Sequence, residues 1–280
     1  MSKFSQRISA AIALALFMAG LGFSASIMPK TLEIGLSAPD FNLPGVDGKN
    51  HKLADYAKAE VLVIIFTCNH CPTAQAYEGR IKRLAADYKN KGVALVAISS
   101  NDPKAVRLDE LGYSDLGDSL EDMKIRAKRM KFNFPYLYDG ATQKVSRAYG
   151  PVATPHVFIF DKARKLRFVG RIDDSEKPKG VKVRDTRNAI EALLAGKEVG
   201  VKKTRTVGCS IKWSDKREYA KKAFEKWAAE SVALEMTDVK GIKNIVANDS
   251  GKLRLVNLWA TWCGSCVVEF DELVEINRMY

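Results

Sequence analysis

The sequence predicts an α/β protein built on a mixed sheet covered by helices, and three observations predict it. Two uninterrupted apolar runs, Val61–Thr67 and Val93–Ile98, bracket a segment in which Tyr77, Ile81, Leu84 and Tyr88 recur at helical spacing. Strand, crossover helix and strand in that order imply parallel pairing. Further along, Val152–Phe160 and Leu166–Ile172 flank a turn at Asp161–Arg164, which adds an antiparallel hairpin.

Residues 31–60 are rich in Gly and Pro, and Val46-Asp47-Gly48-Lys49 reads as a hairpin turn in which Asp-Gly supplies positive φ. The run 61–67 is too continuous for a half-exposed strand and is predicted to be buried. On the helix after Pro72, Glu78, Arg80, Lys82 and Arg83 face away from the apolar stripe, and Lys91-Gly92 ends it. Residues 101–131 resemble an insertion, loop first and then a charged helix over Leu120–Met130. A short strand at Phe134–Asp139, a short helix at Thr142–Tyr149 and a helix from Arg184 to Ala195, closed by Gly196, complete the first unit.

The segment 200–226 carries nine Lys/Arg against three Asp/Glu. Within it, Asp215–Ala229 has apolar pairs at 219/220, 223/224 and 227/228, the pattern of an amphipathic helix that packs on the first unit with a solvated basic face; a basic docking surface is the rival reading. Leu253–Ala260 is predicted as another buried strand, leading into Trp262-Cys263-Gly264-Ser265-Cys266 and a helix. The expected organisation is thus a leader over 1–26, a first domain over 27–198, a basic linker over 199–230 and the beginning of a second unit over 231–280.

Composition is that of a folded protein, 46% hydrophobic and 28% charged across 280 residues. The formal charge of +12 is compatible with nucleic acid or an anionic membrane, but no nucleic-acid motif accompanies it. Of five cysteines, four form two C-x-x-C pairs, Cys68/Cys71 and Cys263/Cys266, and Cys209 is left over. That is too few for a disulfide scaffold, and the spacing indicates redox or metal chemistry. Lys3 and Arg7 precede an apolar run, Ile8–Phe23, with small residues at Ser24-Ala25-Ser26, the order of a secretory signal peptide. The expected compartment is extracytoplasmic, periplasmic or secreted, and membrane contact is expected only through an uncleaved N-terminus.

Residues 31–175 resemble the peroxiredoxin-like (redoxin, AhpC/TSA) branch of the thioredoxin superfamily. The resemblance is carried by Gly35, Ala38-Pro39-Asp40-Phe41 and Leu43, by Phe134-Pro135 with Asp139, and by Ala153-Thr154-Pro155. Residues 231–280 are similar to the start of a thioredoxin of the TlpA/ResA type, through Leu258–Cys266 and Glu269. The resemblance implies a thioredoxin-like fold in which Thr154-Pro155 is the cis-proline loop facing the first cysteine pair. A cis X-Pro bond costs little, and the backbone before it can pair with an extended thiol-bearing substrate.

The implied activity is thiol-disulfide exchange by the Cys68/Cys71 dithiol. Only a thiolate attacks a disulfide, and helix N-termini or adjacent cations lower thiol pKa. His70, between the cysteines, either stabilises a neighbouring thiolate or faces solvent without a role. By analogy with thioredoxin Cys68 attacks and Cys71 resolves. Pro72 argues the other way, because Pro prefers the first helical position and would make Cys71 the cap. Cys71-Pro72-Thr73 also resembles the peroxidatic Cys-Pro-Thr of peroxiredoxins. That family's preceding Thr and Pro are replaced here by Cys68 and Ile64, which leaves thiol peroxidase the second reading, with Arg171 as the supporting arginine.

A copper-handling protein using Cys68, His70 and Cys71 is the third reading. A four-cysteine zinc site is disfavoured because the pairs are nearly 200 residues apart and each begins its own helix; no bound metal or cofactor is expected. Cys209 is either a buried apolar residue or a third redox cysteine, with basic neighbours favouring its thiolate. Only 14 residues follow Cys266, so the second unit reads as truncated, with Cys263/Cys266 an electron-relay pair in an intact protein. The expected partners are protein or small-molecule disulfides and thiols, and a thioredoxin-like reductant.

Overall fold

The structure, a computed structural model, describes residues 28–279 except 113, 234, 261, 262, 264, 265 and 267. The leader over 1–26, and Trp262, Gly264 and Ser265 of the second motif, lie outside the described residues. A hairpin of β1 (Asn42–Pro44) and β2 (Asn50–Lys52) comes first, its turn using Gly48 at φ +79°. The main strands are β3 (Val61–Thr67), β4 (Val93–Ser99), β5 (Tyr136–Tyr138), β7 (His156–Phe160) and β8 (Leu166–Gly170), with the two-residue β6 (Ala153–Thr154) just before β7.

The sheet order is β5-β4-β3-β7-β8. β3 pairs in parallel with β4, and β4 with β5, whereas β7 is antiparallel to both β3 and β8. β3 is central, and every residue of it is buried. Its alternation splits the core. Val61, Val63 and Ile65 meet Tyr77, Ile81, Leu84 and Tyr88 of α1 (Pro72–Tyr88). Leu62, Ile64 and Phe66 pack on the other face with Phe41, Leu43 and Tyr149, the last from α3 (Lys144–Tyr149). Burying each of these large side chains contributes about 1.5–3 kcal/mol, which anchors the carboxyl end of β3 and hence the residues that follow it.

Residues 101–131 hold two 3-10 turns and then α2 (Leu120–Arg129), started by Ser119, whose Oγ accepts from the Asp122 N–H. After α4 (Asp185–Leu194), the chain runs along the free edge of β8: Val169 N–H donates to Lys202 O, and Thr204 N–H returns to Val169 O. It then forms β9 (Cys209–Ser210), antiparallel to β6. Ile211 and Trp213 are fully buried beyond it. α5 (Arg217–Ala229) buries Ala220 and Trp227, and packs on the turn at Pro103–Ala105. α6 (Val239–Ala247) and α7 (Phe270–Met279) follow, and among the described residues no helix is long and apolar enough to cross a membrane.

Two expectations are corrected. Glu78 and Arg80 do not face solvent: both are buried, Glu78 paired with Arg126 and Arg80 with Asp173. A helical wheel cannot show that α2 and the loop after β8 come to cover that flank and bring counter-charges. Leu253–Ala260 is not a buried strand but exposed irregular chain, with Leu253 and Leu258 almost wholly solvated. A strand needs neighbours to take its backbone hydrogen bonds, and the described residues offer that stretch none.

The Arg80–Asp173 pair, reinforced by Arg80 donation to the Ser175 and Glu176 carbonyls, locks α1 to the loop after β8. Arg80→Ala leaves Asp173 buried and unpaired, and is expected to cost about 3–5 kcal/mol in urea denaturation; a loss under about 0.5 kcal/mol, the usual size of a surface change, would contradict this.

Candidate active site

β3 ends at Thr67, so Cys68 is the first residue past the sheet, and α1 begins at Pro72. At the first helical position the missing N–H of Pro72 costs nothing and its fixed φ suits the helix. Cys71 is therefore the N-cap, and its Sγ accepts from the Ala74 N–H at 3.4 Å. The Cys209 N–H donates to the same sulfur at 3.4 Å. The Thr154 carbonyl oxygen lies 3.4 Å from it, where the neutral thiol can donate. Cys68 Sγ is 3.1 Å from Thr154 Oγ1. The Thr154–Pro155 peptide is cis. Cys68, Cys71 and Cys209 are thiols packed together with Ala74, the first two buried and Cys209 partly exposed.

Ionisation is favoured at Cys71 and disfavoured at its two sulfur neighbours. Hydrogen bonds from the Cys209 and Cys68 thiols, with the Ala74 and Cys209 N–H groups, pull the Cys71 thiol far below the usual range despite its burial. Its neighbours respond in the opposite sense. Burial, then the bond to Cys71, pushes Cys68 up, while the bond to Cys71, then burial, pushes Cys209 up. Lys212, one of the expected basic neighbours, opposes the rise at Cys209 and is outweighed.

Between the cysteines the loop is held by a residue from the supposed insertion. Asp118 Oδ1 accepts from the Asn69 N–H at 2.7 Å and the His70 N–H at 3.2 Å; Oδ2 meets His70 Nδ1 at 2.6 Å and the Asn101 amide at 2.7 Å. Tyr136 OH donates to Asn69 Oδ1 at 3.2 Å. The loop carrying Asp118 crosses so close that a Cβ on Gly112 would lie 2.6 Å from the His70 carbonyl oxygen, and Gly112 also holds φ +67°. His70 is thus 1% exposed rather than solvent-facing. Burial disfavours its charge, but the Asp118 carboxylate overrides that and raises the ring pKa. Burial pushes Asp118 up, but the His70 charge together with hydrogen bonds from His70, Asn101 and the Asn69 N–H lowers it overall.

His70 Nε2 is buried without a hydrogen-bond partner. Donor atoms of Cys68, His70 and Asp118 lie within 4.8 Å of one another, so the possible ligand set includes Asp118 rather than the expected Cys71. Arg171 pairs with Asp185 and lines a cleft of about 190 Å³ with Pro155, Tyr77 and Val207. Cys263 and Cys266 are joined as a disulfide. Sequence reasoning missed Asp118, Asn101, Tyr136 and Gly112. Asp118 in Gly117-Asp118-Ser119 looks like ordinary pre-helix turn chemistry, and only the tertiary fold brings it 48 residues back to His70.

Known proteins agree with this architecture. Residues 34–169 match the model of the AhpC/TSA family. A thiol-disulfide oxidoreductase ResA from Geobacillus thermodenitrificans is 27% identical over 173 residues, spanning 60% of this chain and 88% of the relative. Two solved structures are similar over 66% of the chain, each with TM-score 0.59: an uncharacterized conserved protein from Geobacillus kaustophilus, 40% identical with 95% of it covered, and a hypothetical protein from Sinorhizobium meliloti, 35% identical with 97% covered. With the central mixed sheet and the cysteine pair after β3 inside the matched stretch, residues 34–169 form an AhpC/TSA (redoxin) domain of the thioredoxin superfamily.

Proposed function

We propose that the protein is a thiol-disulfide oxidoreductase in which Cys71 is the attacking thiolate and Cys68, buried like it, its dithiol partner. The observation that carries this reading is the placement of Cys71 Sγ at the N-cap of α1, where backbone N–H groups and two thiols converge on one sulfur. A thiolate held there attacks a disulfide sulfur, displaces one thiol and forms a mixed disulfide. A second thiol then displaces the other half, leaving an intramolecular disulfide. The assignment reverses the order that thioredoxin analogy suggests, for the reason Pro72 supplies: the helix starts one residue after the second cysteine. The Asp118 carboxylate raises the His70 pKa against the effect of burial, which favours a positive charge beside Cys71. The ResA relatives support the same chemistry, and the cleft beside Pro155 offers room for substrate atoms. Arg171, committed to Asp185, is proposed only as a wall of that cleft.

Peroxide reduction remains a rival because Cys71-Pro72-Thr73 is present; the thiol neighbours favour disulfide exchange. The copper reading draws on the grouping of Cys68, His70 and Asp118 donor atoms within 4.8 Å of one another, and retained Cu(I) stoichiometry in His70→Ala would dismiss it. Export, proposed from the N-terminal pattern, places these thiols where disulfides persist.

Turnover of oxidised glutathione or insulin disulfides is expected to fall about a hundredfold or more in Cys71→Ser, with peroxide consumption negligible in the wild type. Peroxide turnover faster than disulfide turnover would favour the rival.

A second prediction concerns pH. The raised His70 pKa contributes stability that is present below its unfolded value of about 6.5 and is lost as pH rises through the folded value; the lowered Asp118 pKa contributes stability present above about 3.9 and lost as pH falls through its folded value. Stability should therefore decline on both sides of a mildly acidic to neutral plateau. Asp118→Asn is expected to cost about 3–5 kcal/mol on that plateau and to remove the alkaline decline assigned to His70. An unchanged denaturation profile across pH 3–9 would contradict the pairing.

A further inference from the structure

The segment that follows α4 does more than cover the edge of β8. Residues 204–213 cross the cysteine pair as an extended strap, anchored on both sides. At one end Thr204 is bonded to β8, and its Oγ1 accepts from the Arg171 N–H. At the other, Ile211 and Trp213 are buried, the Lys212 N–H donates to Asn101 Oδ1, and the Gln143 amide donates to the Lys212 carbonyl. Between these anchors Cys209 pairs antiparallel with Thr154, the residue before Pro155, and gives its N–H to Cys71 Sγ. Gly208 makes the approach possible. It sits at φ +153°, and a Cβ there would lie 1.9 Å from the Thr154 carbonyl oxygen, a backbone atom that cannot yield.

An extended substrate adding a strand at this edge would use the backbone of Thr154, which the strap already occupies. The strap presents its own thiol to Cys71 in the arrangement a substrate cysteine would need. Building on the disulfide-exchange reading above, we propose that residues 204–213 are an internal substrate mimic and that Cys209 is a resolving thiol for Cys71.

The step balances without any further reactant. The Cys71 thiolate attacks a substrate disulfide RS–SR′ as the strap lifts, forming Cys71–SR and releasing R′S⁻. The strap returns and Cys209 Sγ attacks Cys71 Sγ. Cys209 gives up its proton and attacks as the thiolate, the Cys71–SR bond breaks, the Cys71–Cys209 bond forms, and the leaving thiolate takes up that proton and departs as RSH. Two protein thiols are oxidised to one disulfide, and one substrate disulfide is reduced to two thiols. Cys68 is buried, whereas Cys209 is partly exposed, so a disulfide at 71–209 lies nearer the surface for an external reductant than one at 68–71.

The test uses the full chain, oxidised glutathione as probe, and disulfide mapping by peptide mass spectrometry. In Cys68→Ser a Cys71–Cys209 disulfide is expected, with glutathione released. In Cys68→Ser/Cys209→Ser a glutathione adduct on Cys71 is expected to persist. Adducts that persist equally in both variants overturn the role of Cys209 while leaving exchange at Cys71 intact. No adduct in the double variant, with both variants folded by circular dichroism, overturns exchange at Cys71 and this inference with it. Gly208→Ala supplies a readout that does not depend on removing a thiol: displacing the strap is expected to speed alkylation of Cys71 about tenfold or more, the scale of a 1.4 kcal/mol change in an opening equilibrium. Alkylation no faster than in the wild type would mean that the strap does not guard Cys71.

Discussion

One buried carboxylate governs the geometry of the site. Asp118 has no exposed surface and accepts hydrogen bonds from two backbone N–H groups, an imidazole and an amide. A carboxylate in that position is tolerable because its acceptor capacity is met and an imidazole whose pKa it raises stands beside it. Those demands fix the two-residue loop between Cys68 and Cys71. The backbone at Asn69 and His70 must aim inward, which leaves the two sulfurs to face Thr154 and the strap. The loop is therefore preorganised by groups that are themselves buried, Asp118, Asn101 and Tyr136.

The second consequence concerns where charge resides. β3 delivers Cys68 at the end of a fully buried strand, a place hostile to an anion, while Pro72 starts the helix one residue beyond Cys71. The two cysteines thus occupy electrostatically unequal positions though only two residues separate them. Cys71 receives the free N–H groups and the positive end of the helix dipole, and Cys68 serves as a donor to it. Cys209 completes the arrangement from β9, where its N–H donates to Cys71 Sγ.

Much of this architecture was legible in the residues. The apolar runs at Val61 and Val93, the stripe from Tyr77 to Tyr88 and the turn at Asp161 predicted the sheet and its helices, because burial imposes a period that one sequence window displays. Pro72 pointed to Cys71 as the cap. What was not legible depended on distant segments meeting. Asp118 looked like a turn residue in an insertion, yet it comes back across 48 positions to hold His70. Glu78 and Arg80 looked solvated until Arg126 and Asp173 arrived to neutralise them. Leu253–Ala260 has the composition of a buried strand, but strand structure belongs to a pairing and not to a segment.

The central claim is that Cys71 is the thiolate of the reduced protein. Thiolate absorbance at 240 nm, followed against pH with Cys71→Ser as the baseline, measures it directly. The account predicts that the signal specific to Cys71 is already complete at neutral pH, with a midpoint far below the value of about 8.5 for a free cysteine. A midpoint at or above about 8.5, or a neutral-pH signal that survives in Cys71→Ser and vanishes in Cys68→Ser, would contradict it.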